Sequence, residues 1–112
     1  MEINILGTDY SFEFAPDDVV ATEMGGELGQ YGGFCDGYQK KIVIADCDQL
    51  KDSAAVKEIL KAESVRHEVI HAFLNESGLR GNCEWSQNEE LVDWIALQFP
   101  KIAKVFDRLG VL

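Results

Sequence analysis

The residues of this chain best suited to chemistry are Arg66-His67-Glu68-Val69-Ile70-His71. Two histidines four positions apart fall on one face of a helix, one turn from each other. There the two imidazoles can grip a single metal ion, with Zn–N bonds of ~2.0 Å. Glu68 follows the first histidine, so its carboxylate projects beside the metal's open position. In that place it can take a proton from a water and pass it to a leaving amine. The pattern points to zinc-assisted hydrolysis of a peptide bond. The chain has only two histidines, and both lie here. The plainer alternative is a helix with two solvated histidines. In that case Glu68, unpaired among apolar residues, would cost stability that a metal-lined cleft explains.

A catalytic zinc usually takes three protein ligands and one water. With no third histidine, the third ligand must be a carboxylate or a thiolate. Glu89 and Glu90 follow at the start of the next expected helix, with Glu89 favoured, Glu90 the substitute and Cys83 a more distant candidate. A competing role for Glu89 is the Ser86-x-x-Glu89 capping box, in which its carboxylate would only close the helix start. Asp93 lies one turn after Glu89, where it could hold the far nitrogen of a ligand histidine or simply be a solvated acid. Negative charge developing on a substrate oxygen wants a donor. Tyr31, Tyr38 and Arg80 are candidates among which the residues do not choose. Trp85 and Trp94 are expected in the core or cleft wall. A substrate backbone would pair with an edge strand, either Lys41–Ala45 or its neighbour near Tyr31–Cys35.

These residues need elements to hold them. Residues 2–14 alternate in strand fashion around Gly7-Thr8-Asp9, which predicts a hairpin. Residues 15–29 carry Pro16, an aspartate pair and three glycines, and read as a loop with at most one helical turn. Lys41–Ala45 is the strongest strand signal. From Ser53 to Ser77 the chain reads as one long helix, capped by Asp52 or Ser53 and ended by Gly78. A loop over 78–86 precedes a helix from Gln87 to Phe99. Pro100 interrupts or restarts it, and Ile102, Val105, Phe106 and Leu109 suggest a short last helix ended by Gly110. Strands first and helices second predict an α+β domain with an antiparallel sheet on one side.

Length and charge narrow the classes. The 112 residues, 46% of them hydrophobic, suit one compact domain. A net charge of -10, with no sizeable basic patch, excludes phosphate-neutralising nucleic-acid binding and disfavours anionic membranes. The opening segment MEINILGTDYSFEF has no basic n-region and no long apolar stretch, so neither a secretory signal nor a membrane span is expected. The three cysteines Cys35, Cys47 and Cys83 form no CxxC pair. Their odd count points to free thiols in a reducing cytoplasm.

His67-Glu68-Val69-Ile70-His71, followed by Ala72-Phe73-Leu74, Gly78-Leu79 and Glu89-x-x-x-Asp93-Trp94-Ile95-Ala96, resembles small phage-type HExxH zinc metallopeptidases. These are minimal zincins with a glutamate third ligand. The wider likeness is to thermolysin-like enzymes, in which a Glu-x-x-x-Asp helix follows the HExxH helix. The resemblance covers residues 65–99 well and 31–45 loosely. It implies a small zincin-like α+β domain over residues 1–112, with an antiparallel-rich sheet packed on the HExxH helix and a second ligand-bearing helix. It also implies one zinc on His67, His71 and Glu89, with Glu68 as general base, Asp93 as supporting acid and a peptide or protein substrate. Larger zincins build substrate pockets from a second subdomain that has no counterpart here. A related small family cleaves phage repressors, which by analogy suggests a narrow regulatory substrate. The competing readings are a non-catalytic zinc-binding or interaction domain, and a phage-encoded accessory or tail-assembly factor with a vestigial zincin fold.

Overall fold

A computed structural model of the protein describes residues 1–26 and 32–112. The chain opens with an antiparallel hairpin of β1 (Glu2–Ile5) and β2 (Thr8–Ala15). Its turn is Leu6-Gly7, with φ of 49° and 92°, the two left-handed positions that match the twist of paired strands. The turn falls earlier than the expected Gly7-Thr8-Asp9, because Thr8 and Asp9 already pair with Ile5 and Asn4. The Asn4 side chain secures it, donating to Asp9 Oδ1 at 2.8 Å and accepting from the Gly7 N–H at 3.0 Å.

The stretch expected to be a loop contains a helix instead, α1 (Asp17–Met24). Its stability is tertiary. The buried Asp17 carboxylate accepts the N–H groups of Cys47 and Gln49 at 2.8 and 3.1 Å. Val20 packs with Ala15, Val43 and Ala45. Residues 27–29 of that loop, and Tyr31, lie outside the described residues.

Two further strands, β3 (Gly33–Asp36) and β4 (Lys41–Ala45), complete a sheet of order β1-β2-β4-β3. The outer pairs are antiparallel, but β2 and β4 run parallel in the middle. The sheet is therefore mixed rather than antiparallel, since the chain crosses back through α1 before laying down β4 beside β2. Lys41–Ala45 is thus interior and paired on both sides, and β3 is the edge beside it, with β1 the opposite edge. Ile42 to Ala45 are all buried, as expected of a strand covered on both faces.

The long helix α2 (Ala54–Glu76) covers one face, where Ile5, Tyr10, Ile42, Ile44 and Ala72 form the core with Val65 and Val69 against it. Ser53, rather than Asp52, caps it by accepting from the Val56 N–H. Gly78 follows its end at φ 82°. At that end the Glu76 carboxylate gathers the Tyr10 hydroxyl at 2.7 Å, the Thr8 hydroxyl at 3.0 Å and the Lys40 ammonium. This cluster fastens α2 to the hairpin.

The last helix, α3 (Glu89–Arg108), runs unbroken through Pro100, against the expected interruption. Proline has no N–H to offer the carbonyl four residues back, which leaves Ala96 O without its helical donor. Arg66 Nε donates to that oxygen at 2.6 Å. The side chain beside the first histidine thus repairs the defect in the neighbouring helix. Among the described residues no helix is long and apolar enough to cross a membrane, and all three thiols are free.

Candidate metal centre

The i, i+4 spacing on α2 brings His67 Nε2 to 3.1 Å from His71 Nε2. The donor atoms of His67, Glu68 and His71 lie within 4.8 Å of one another, a group that could hold a metal ion. A second helix closes the site. Glu89, the first residue of α3, points Oε2 at His67 Nε2 and Oε1 at His71 Nε2, both at 3.0 Å. One turn on, Asp93 Oδ1 lies 2.7 Å from His67 Nδ1. Glu89 is free for this role because Asn88 caps α3, its side chain accepting the Leu91 N–H at 2.8 Å. The capping box does not form among the described residues, since Asn88 and not Ser86 is the N-cap, and the one Ser86 hydroxyl proton is within reach of the Cys83 and Leu79 carbonyls, at 2.8 and 3.2 Å. Glu90 is exposed and makes neither histidine contact, and Cys83 is half-buried without one.

Asp93 Oδ1 occupies the Nδ1 side of His67, so its Nε2 is the nitrogen turned towards His71 Nε2 and the Glu89 carboxylate. Four atoms able to donate lone pairs, two nitrogens and two oxygens, thus converge on one point, where a cation could be held. The distances suit a metal, because two ~2.0 Å bonds at a tetrahedral angle put their ligand atoms ~3.3 Å apart. The observed separations of 3.0 to 3.1 Å need only a small opening.

Glu68 sits differently. It is only 8% exposed, its Oε1 lies 3.9 Å from His67 Nε2, and it makes no hydrogen bond among the described residues. Burial pushes its carboxyl up to about 7. His67 opposes that rise, and Glu89 and Asp93 add to it. Burial also lowers the basicity of His71, with Glu89 acting against it.

These groups line a cleft of about 780 Å³ between α2, the edge strand β3 and α3. Gly33 lines it where a Cβ would come within 2.5 Å of the Val43 carbonyl oxygen. Cys35 also lines it, with Asn75 Nδ2 3.7 Å from its sulfur and burial pushing the thiol up to about 12. Arg80 is at the wall. Tyr38 is 85% exposed and outside this cleft. Trp85 and Trp94 are about half exposed and neither lines the cleft, contrary to expectation. Trp94 follows Asp93, so when Asp93 faces α2 the indole is turned aside.

No protein-family model, curated protein or solved structure matches this chain. Two contributors had little or no signal in the sequence. Cys35 sits in no motif. Arg66 could be foreseen only by noticing that a proline within helical periodicity leaves one carbonyl wanting a donor.

Proposed function

We propose that this chain is a zinc-dependent peptidase on a minimal zincin-like fold, with His67, His71 and Glu89 as ligands and Glu68 as general base. The observation that carries the reading is the convergence of two imidazole nitrogens from α2 and one carboxylate from α3, each 3.0 to 3.1 Å from its neighbour. Glu89 is preferred to Glu68 as third ligand because its oxygens reach both Nε2 atoms, whereas Glu68 stops at 3.9 Å from one. A zinc ion held there would polarise the scissile carbonyl and make a water acidic enough to attack near neutral pH.

The chain's own groups do the rest. Asp93 holds the Nδ1 proton of His67, which fixes the tautomer that leaves Nε2 free to ligate. Glu68 takes the proton of the attacking water and returns it to the leaving amine. The edge strand β3, which lines the cleft, gives an extended substrate a backbone to pair with. The analogy with a related small family that cleaves phage repressors suggests a narrow, regulatory substrate.

The test pairs metal analysis with a Glu68→Gln variant in an unbiased peptide-cleavage screen. About one zinc per chain is expected in both proteins, with hydrolysis at least ~10²-fold slower in the variant. Equal cleavage rates would remove Glu68 from the chemistry, and loss of zinc from the variant would make it a ligand. Zinc retained by a parent protein that cleaves nothing would favour a non-catalytic metal-binding domain.

A further inference from the structure

The cleft that holds the histidines has an acidic lining. Asp17, Glu63, Glu68, Glu89 and Asp93 all contribute to it, and among the described lining residues Arg80 is the one lysine or arginine. Arg80 lies in the loop beyond the end of α2 and is held in place from several sides. Its main-chain carbonyl accepts from Gln87 Nε2 at 2.5 Å, two residues before the ligand Glu89. Its guanidinium lies over the Tyr38 ring, 4.6 Å from the centroid. Gly37 packs so closely beside it that a Cβ there would come 3.0 Å from Nη1. The Tyr38 ring and Gly37 thus flank the guanidinium, which gives Tyr38 a role despite its exposure.

What the guanidinium lacks, among the described residues, is an acceptor. Among the described residues it makes no hydrogen bond and no ion pair. Asp36, the acid of the adjoining strand, uses Oδ1 for the Tyr38 and Gln39 N–H groups, each at 2.9 Å. A half-buried arginine whose planar fork of N–H donors meets no acceptor among the described residues matches a carboxylate in two-point contact. Other acidic side chains of the cleft repel such a group, so only one register of a bound peptide would accept it. Repulsion at the wrong positions and attraction at one is how a site discriminates.

We propose that Arg80 is the specificity residue of this cleft and selects peptides presenting a carboxylate to its rim, either an Asp or Glu side chain or the peptide's own C-terminus. This rests on the peptidase reading. The experiment uses the zinc-loaded protein and a positional peptide library in which each member is made with a free and an amidated C-terminus. Cleaved members should share Asp or Glu at one position, or else require the free terminus, which separates the two sources. For the best peptide, exchanging that carboxylate for its amide should lower kcat/KM by ~10- to 100-fold. Arg80→Gln should abolish the acid-to-amide ratio, Arg80→Glu should reverse it towards Lys, and Arg80→Lys should restore only part of it. Zinc content and thermal midpoint should stay at the parent values throughout. An acid-to-amide ratio unchanged by Arg80→Gln overturns the assignment.

A binding arm keeps this separate from the peptidase reading. Zinc-loaded Glu68→Gln is titrated with a fluorescein-labelled acid-rich peptide and with its all-amide counterpart, with and without Arg80→Gln. Tighter binding of the acidic peptide that disappears with Arg80→Gln sustains the inference even if the parent cleaves nothing, an outcome that would sink only the peptidase reading. Equal affinity for both peptides refutes the role of Arg80 whatever the cleavage screen shows.

Discussion

Replacing Arg66 tests whether a single side chain compensates for the proline inside α3. Pro100 deprives Ala96 O of its helical donor, and Arg66 Nε supplies one at 2.6 Å. Arg66→Met keeps the apolar stem and leaves that buried carbonyl unsatisfied. A charge-assisted hydrogen bond to a buried acceptor contributes ~1.5–3 kcal/mol. The arginine is only part-buried, so the lower end, about 1.5 kcal/mol, is expected. For a domain of this size that is a fall of ~6 °C in thermal midpoint. The decisive step is the second background. Pro100→Ala restores an N–H four residues beyond Ala96, so the carbonyl no longer depends on Arg66. Arg66→Met should then cost under ~0.5 kcal/mol, a coupling of about 1 kcal/mol between residues that do not touch through their own polar atoms. Chemical denaturation of the four proteins at constant zinc measures the cycle. If Arg66→Met costs the same with alanine at 100, the arginine acts by packing alone and the proposed compensation is wrong.

Zinc titration should separate the adjoining glutamates: Glu89→Ala is expected to weaken binding by more than ~100-fold, while Glu90→Ala changes it less than ~3-fold; the opposite order would move the ligand. Three donors around Glu76 hold its carboxyl down at about 2, chiefly through Lys40 and Tyr10. A depressed carboxyl contributes stability that is complete above its ordinary value near 4.5 and drains away as pH falls from there towards 2. Glu76→Gln should therefore flatten the thermal midpoint against pH across that window, and a parallel slope in both proteins would remove Glu76 from the acid response. Gly33→Ala places a Cβ 2.5 Å from the Val43 carbonyl oxygen, so it should destabilise by ~1–3 kcal/mol; an unchanged midpoint would show that β3 yields freely.

What was legible in the sequence was what local spacing controls. The i, i+4 histidines, the apolar run of Lys41–Ala45 and the gap-free helix ending at Gly78 need no knowledge of the rest of the chain, and the structure has them within a residue or two. What failed was decided at a distance. α1 carries unpromising residues locally and is stabilised by Asp17 reaching Cys47 and Gln49, thirty positions away. The parallel β2–β4 pair depends on where the chain returns after α1, which hydrophobic alternation does not encode. Pro100 signals a break to any local rule, and only a side chain from another helix overrides it. The Ser86-x-x-Glu89 spacing was a true ambiguity, resolved because Asn88 caps the helix and leaves the glutamate free.

The candidate centre belongs to the contact between two antiparallel helices more than to either one. Along α3, Glu89, Asp93 and Ala96 are spaced i, i+4, i+7 and share a face. Along α2 their partners run the other way: His71 and His67 meet Glu89, His67 meets Asp93, and Arg66 meets Ala96. The two acids and the backbone clamp are therefore successive steps of one register. A slip of a single turn, ~5.4 Å along the axis, would break all of them together. The cost of the site's uncompensated carboxylates is thereby tied to a helix pair already fixed by packing and by the arginine clamp. Glu89 and Asp93 are well exposed, yet each stands on a helix that packs against α2 and not on a loop.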